Sequence, residues 1–99
     1  MMNSEKLNRV TCATKKGDNY NPYERISHIG GYNSKGEFFK ITSEEAILLI
    51  DDKKYYFCVV KDGKNVQVIT ATRNGRKYLK TEADAYEPNN LLALGDCPP

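Results

Sequence analysis

The sequence predicts an α+β fold in which a small antiparallel sheet packs against one helix. Three signals predict it: a helix start at Thr42, a strand-like run over Tyr55–Val60, and two hairpin-turn dipeptides, Asp62-Gly63 and Asn74-Gly75. Thr42 followed by Glu45 fits a capping box, in which the hydroxyl accepts the Glu45 N–H and the carboxylate reaches back to the Thr42 N–H. β-Branched and aromatic residues favour strands, and Asp-Gly or Asn-Gly tolerates the positive φ of a two-residue hairpin turn. The middle of the chain is therefore predicted as a helix followed by a three-stranded meander.

The predicted helix has one broad apolar face. Ala46, Ile47, Leu49 and Ile50 share that face on a helical wheel, whereas Leu48 points away from it. A helix of about two and a half turns is marginal in isolation, so it needs a sheet to pack against.

Two-residue turns fix the register of the meander, and alternation then sorts its side chains onto two faces. Val59 should lie opposite Val66, Phe57 opposite Val68, and Thr70 opposite Leu79. We expect the helix to cover the face that carries Tyr55, Phe57, Val59, Val66, Val68, Thr70 and Leu79. The other face is too apolar for a bare solvated surface, so we expect the N-terminal half of the chain, or alternatively a partner, to cover it. It carries Tyr56, Cys58, Val60, Gln67, Ile69, Ala71, Tyr78 and Lys80.

The N-terminal half is predicted to add strands over residues 7–16, 25–32 and 37–41, so that the sheet combines N-terminal strands with the C-terminal meander. Gly30-Gly31 marks a bulge or a close approach of two backbones. A last apolar patch at 91–95 is predicted as one helical turn. Residues 1–6 are polar and read as a disordered tail. Residues 7–97 then form a single domain.

Composition and charge exclude several classes of protein. The 99 residues are 28% charged and 39% hydrophobic with a net charge of +2, as in an ordinary soluble domain, and the charge by itself does not imply nucleic acid. No apolar run is long enough for a membrane span, and the N-terminus lacks the apolar core of a signal peptide. Three cysteines, an odd number, favour free thiols and a reducing compartment, which points to the cytoplasm.

Three separated motifs resemble one family. They are Asn21-Pro22-x-Glu24-Arg25-Ile26-x-His28-Ile29-Gly30-Gly31, Tyr78-Leu79-x-Thr81-x-x-Asp84 and Pro88-Asn89-Asn90-Leu91-Leu92-x-Leu94, with Cys97 after them. Together they are similar to DUF3892, a family of small bacterial and phage-borne proteins catalogued as a domain of unknown function. The resemblance implies a bacterial or phage origin and a compact single-domain α+β fold, and it implies no activity. Tyr23 stands where members often carry histidine, so this position is a poor candidate for an essential ligand or base.

Metal binding and cysteine catalysis would both depend on the same few residues. Cys12, His28, Cys58 and Cys97 are the soft ligands, but none is spaced as in a CxxC or a close Cys–His pair. A cysteine nucleophile would need His28 as base and Asp84 or Asn90 to orient it. Strand cysteines more often act as small buried hydrophobes, and His28 between two isoleucines is more often structural. We therefore predict no cofactor, no metal and no enzymatic activity.

Binding is the remaining class. Basic and tyrosine residues gather in the loop before the second strand and around the second hairpin, and we take as candidate contact residues Tyr20, Tyr23, Arg25, His28, Tyr32, Arg76, Lys77 and Tyr78. The prediction is a non-catalytic interaction domain with a protein partner, no membrane partner, and an oligomeric state that the sequence leaves open. The alternative is a single-stranded nucleic-acid binder, because aromatic side chains stack on bases and cations follow phosphates.

Overall fold

The computed structural model describes residues 7–17, 21–85 and 88–99. These residues form six strands and two helices: β1 (Leu7–Lys15), β2 (Ile26–Tyr32), β3 (Phe38–Thr42), α1 (Ser43–Asp51), β4 (Tyr56–Lys61), β5 (Lys64–Arg73), β6 (Arg76–Thr81) and α2 (Asn89–Leu92). The α+β character predicted from the sequence is confirmed. No helix in this part of the chain combines the length and the apolar character that a membrane span requires.

The strands form one sheet in the order β3-β2-β1-β4-β5-β6. The prediction of a purely antiparallel sheet is wrong, because β1 pairs with β4 in parallel, with Leu7 beside Tyr56 and Arg9 beside Cys58. The reason lies in the connection β3–α1–β4. Parallel strands need a crossover, usually a helix, and α1 carries the chain past β2 and β1 to the far side of β1.

Helix α1 begins as predicted. The Glu45 N–H donates to Thr42 Oγ1 at 3.1 Å. The Glu45 carboxylate accepts from the Thr42 hydroxyl at 3.3 Å, which differs from the predicted bond to the Thr42 N–H. Ala46 is buried and Leu48 is 63% exposed, so the predicted apolar face is confirmed.

The meander also has the predicted register, with Val59 opposite Val66 and Thr70 opposite Leu79. We call the side of the sheet that α1 covers the helix face and the opposite side the outer face. Phe57, Val59, Val68 and Leu79 are buried in the same core as Ala46 of α1, as expected. The expected cover for the outer face is present only in part: β1, β2 and β3 extend the same sheet rather than folding over it, while Tyr23 in the loop before β2 packs against Tyr78.

A bulge in β1 decides which of its side chains enter the core. The pairing with β2 shifts between Val10 and Cys12, so Thr11 is the extra residue. Val10 and Ala13 therefore both belong to the core cluster. The close approach predicted at the two glycines is confirmed, since a Cβ on Gly31 would lie 1.8 Å from the Arg9 carbonyl oxygen.

The cysteines correct the expectation of three free thiols. Cys12 in β1 and Cys97 near the C-terminus form a disulfide that spans 85 residues of sequence, and only Cys58 is a free cysteine in the described part of the chain. The three cysteines therefore comprise one disulfide-bonded pair and one buried free thiol, Cys58. The argument for a reducing compartment rested on free thiols, so it loses its support.

Helix α2 closes the core near the ends of β1, β4 and β6. Leu91 is fully buried, and the Asn90 side chain donates to Thr81 Oγ1 at 2.7 Å. Asp84 accepts the Thr81 N–H at 3.1 Å and the Asn90 N–H at 3.3 Å. The helical turn predicted for 91–95 thus lies two residues earlier. The predicted tail of residues 1–6 lies outside the described residues.

Candidate binding surfaces

The loop before β2 packs against the end of the β5–β6 hairpin. We call this contact the hairpin cluster, and its members are Tyr23, Glu24, Arg73, Arg76 and Tyr78. The Tyr23 and Tyr78 rings meet edge to face with centroids 5.0 Å apart, and the Arg73 guanidinium lies 4.1 Å above the Tyr23 ring. Arg76 forms an ion pair with Glu24 at 3.1 Å. The cluster borders a cavity of about 300 Å³.

The aromatic and charged groups of the hairpin cluster are engaged with one another. Its rings pack on each other, one of its cations lies on a ring and another pairs with a carboxylate. Next to it, Lys77 pairs with Asp51 at the end of α1, and Thr70 donates to the same carboxylate at 2.9 Å. The hydrogen bonds from Lys77 and Thr70 lower the pKa of Asp51 below its ordinary value of 3.8. Because these contacts join elements of the chain, they support folding more directly than recognition.

The structure brings together only some of the predicted contact residues. Tyr23, Arg76 and Tyr78 meet in the hairpin cluster, and Lys77 is adjacent. The Arg25 side chain donates to the Lys16 carbonyl at 3.4 Å. Tyr32 lies at the other end of β2, and Tyr20 falls outside the described residues.

His28 lies in the middle of β2 and shares a hydrogen bond with Ser27, with 2.9 Å between Nδ1 and Oγ. Its supposed catalytic partners are engaged elsewhere, since Cys12 and Cys97 are joined and Asp84 accepts from Thr81 and Asn90. Burial raises the pKa of the Cys58 thiol, the effect opposite to the activation of a nucleophile. Within residues 7–17, 21–85 and 88–99, no three His, Cys, Asp or Glu side chains cluster as a metal site.

A second concave surface lies at the end of the sheet where β3 and β4 begin. This end groove has a volume of about 920 Å³. Phe39 and Ile41 of β3, Leu49 of α1 and Phe57 of β4 supply apolar surface, and Tyr55, which is 43% exposed, stands beside them. Its rim is mostly uncharged and polar, and is formed by Asn8, Asn33, Ser34, Lys35 and Glu37.

The outer face carries a row of exposed side chains that runs across three strands. Phe38 pairs with Tyr32, and Tyr32 with Arg9, so the three side chains share one face. Phe39 faces the core, where its ring lies 5.7 Å from Phe57, and its neighbour Phe38 therefore points outward. Phe38 is 46% exposed and Tyr32 is 49% exposed. We call Phe38, Tyr32 and Arg9 the aromatic row.

Charge is divided unevenly between the strands and the rest of the chain. Within the described residues, the six strands contain no aspartate or glutamate. The same strands carry nine basic residues: Arg9, Lys15, Lys40, Lys61, Lys64, Arg73, Arg76, Lys77 and Lys80.

Sequence reasoning missed both the end groove and most of the aromatic row. Adjacent residues of a strand point to opposite faces, so the pair Phe38-Phe39 already implied one outward ring. Arg9 gave no such signal. Its position beside Tyr32 and Cys58 depends on where β1 enters the sheet, and local sequence does not specify that pairing.

Comparison with known proteins identifies a family but no activity. A search of curated proteins and a search of solved structures each found no match. A family model described as a protein of unknown function, DUF3892, matches residues 9–95. That match includes all six strands at least in part and the whole of both helices. The chain therefore belongs to the DUF3892 family.

Proposed function

We propose that this chain is a non-catalytic binding domain that takes a short segment of a partner protein into the end groove. The observation that carries the proposal is the apolar surface inside the groove. Phe39, Ile41 and Leu49 there are only half-buried, although all three pack against the core. A partner side chain that covered them would remove further apolar surface from water.

The neighbouring strand supports a peptide as the ligand. β3 is an edge strand, so one side of it has backbone N–H and C=O groups that no other strand of the sheet pairs. An extended segment can pair with such an edge and place alternate side chains into an adjacent pocket. Phe39 and Ile41 belong to β3 and line the groove, which links the two features.

Selection from a random peptide library, followed by calorimetry, tests the proposal without a known partner. We expect enriched peptides that carry an apolar anchor and that bind with micromolar affinity. Tyr55→Ala should weaken them about fivefold or more, because it removes an aromatic side chain from the groove. Leu48→Ala is the matched control, since Leu48 is exposed on α1 and does not line the groove. Failure to enrich any peptide, or equal effects of the two substitutions, would overturn the proposal.

NMR titration locates the contact independently. Amide shift changes should concentrate in β3 and in the turn at 33–37 that forms the groove rim. Changes confined to the hairpin cluster would instead move the contact to the residues first predicted from the sequence.

A further inference from the structure

The outer face has the chemistry of a surface for a polyanion. Arg9 is exposed and has no ion-pair partner within the described residues, and Lys40 lies on the same face two residues after Phe38. The Lys40 ammonium donates to the Pro98 carbonyl at 2.9 Å, a contact that leaves its charge unneutralised. No strand places a carboxylate among these groups. Arg9 and Lys40 therefore place two positive charges on this face, although the whole chain has a net charge of only +2.

The aromatic row adds a second feature, since it holds two exposed rings beside the cation. The Phe38 and Tyr32 rings also meet edge to face, with centroids 5.6 Å apart and planes inclined at 73°. Unlike the half-buried Tyr23 and Tyr78 rings, however, they remain 46% and 49% exposed. Strands in a sheet lie about 4.8 Å apart, so the row from Phe38 to Arg9 extends roughly 10 Å across the strands. That span suits two unstacked bases and the phosphate that follows them.

We propose that the aromatic row binds single-stranded nucleic acid, with bases stacked on Phe38 and Tyr32 and the backbone held by Arg9 and Lys40. This ligand and this surface go beyond the peptide-binding function proposed above, which uses the end groove. The side chains involved lie on the opposite side of the sheet from the Phe39 and Phe57 side chains that line that groove.

The row also indicates which polyanion fits. A duplex hides its bases within the stack, so the two rings would contribute only with a single strand. An acidic polypeptide supplies charge but no base to stack on the rings. Beyond Arg9, the line of paired residues continues through Cys58 of β4 to Gln67 of β5. The Gln67 N–H donates to the Glu82 carboxylate at 3.4 Å, so a negative group marks the limit of the site on this side.

Fluorescence anisotropy with labelled oligo(dT) and oligo(U) tests the proposal. We expect binding that weakens with salt, with a slope near −1.4 in log K against log salt for two phosphate contacts at about 0.7 each. Arg9→Gln should reduce the slope by about 0.7 because it removes one contact. Tyr32→Ala and Phe38→Ala should each weaken binding about tenfold and leave the slope unchanged, since stacking releases no counterions.

Matched variants control for nonspecific charge and for folding. The double variant Arg76→Ala and Lys77→Ala removes two strand cations from the hairpin region, where both are already paired, and should leave the affinity unchanged. Leu48→Ala removes an exposed apolar side chain from α1 and should also be silent. Tyr32→Phe retains the ring and should bind as the wild type does, which separates loss of stacking from loss of structure.

Three results would overturn the proposal. The first is no binding to either oligonucleotide at low salt. The second is equal affinity for a duplex or for polyglutamate, which would identify a site for charge alone. The third is binding that Tyr32→Ala and Phe38→Ala leave unchanged while the hairpin double variant abolishes it. None of these results bears on peptide binding in the end groove, so the two proposals fail separately.

Discussion

At the scale of single residues, Gly31 is the glycine that leaves the least space for a side chain. A Cβ there would lie 1.8 Å from the carbonyl oxygen of Arg9, and this neighbour is backbone rather than a flexible side chain. Gly31→Ala must therefore separate β1 from β2 at the bulge. We expect a loss of roughly 3 kcal/mol in the free energy of unfolding, at the upper end of overpacking costs. Urea denaturation measures it.

Gly95→Ala is the matched control, because no heavy atom lies within 4 Å of the added Cβ. It should change the free energy of unfolding by less than about 0.5 kcal/mol. Equal stability of the two variants would mean that β1 and β2 do not approach each other as described.

Phe57 is the residue whose loss should damage the core most directly. It is 2% exposed and its ring lies 5.7 Å from Phe39. Phe57→Ala should cost about 3–5 kcal/mol, since it leaves a cavity beneath α1. Leu48→Ala, at a position that is 63% exposed, should cost little. A loss below about 1 kcal/mol for Phe57→Ala in chemical denaturation would place this ring outside the core.

At the scale of elements, the carboxylate of Asp51 joins α1 to the β5–β6 hairpin. Its pKa is lowered by the hydrogen bond from Lys77 and then by the one from Thr70. A lowered pKa in the folded state means that the stabilisation is present above the ordinary value of 3.8 and is lost as pH falls through the folded value.

Asp51→Asn should therefore lower the free energy of unfolding by the same small amount at pH 6 and at pH 8, where the stabilisation is fully present, and this difference from the wild type should shrink below about pH 4. Because the pair is exposed, the effect should be small and should shrink in high salt. Urea midpoints at several pH values, in low and high salt, measure it. A midpoint difference that persists unchanged in high salt would contradict an exposed ion pair.

The elements differ in how far sequence could predict them. Asp62-Gly63 and Asn74-Gly75 specified both turns and hence the register of β4, β5 and β6, because positive φ at both central positions is a local requirement. Thr42 and Glu45 specified the start of α1 in the same way. The position of β1 between β2 and β4 depends on pairing with residues about 50 positions away in the sequence, which no short motif specifies.

The candidate sites also divide into features that local sequence indicates and features that depend on long-range assembly. Residue type identifies Tyr23 and Tyr78, and the two side chains do meet, but their rings pack on each other and are half-buried. The end groove is formed by residues from β1, the β2–β3 turn, β3, α1 and β4, so it exists only after the sheet is assembled. Residue type alone therefore found aromatic and basic groups without finding the surface that displays them.

At the scale of the whole molecule, the disulfide between Cys12 and Cys97 ties the C-terminal end of the chain to β1. It closes a loop of 85 residues, and closing a loop of that length restricts the unfolded chain strongly. Replacing both cysteines with serine should cost roughly 4.5 kcal/mol by the loop-entropy estimate. Thiol titration of the oxidised, denatured protein should find one free group, that of Cys58, and three after reduction.

Cys58→Ser serves as the control for that titration. The oxidised variant should show no free thiol, and it should keep the Cys12–Cys97 bond. Three free thiols in the oxidised wild-type protein would restore the expectation drawn from the cysteine count and would remove the link between the two ends of the chain.

Both proposed surfaces depend on the parallel pairing of β1 with β4. This pairing places Arg9 between Tyr32 and Cys58, and it brings Asn8 beside Phe57 at the end groove. Backbone NOEs between residues 7–9 and 56–58 test it most directly, because parallel and antiparallel strands bring different pairs of backbone protons together. We expect the parallel pattern, with Arg9 beside Cys58. An antiparallel pattern, or no contact between these strands, would contradict it.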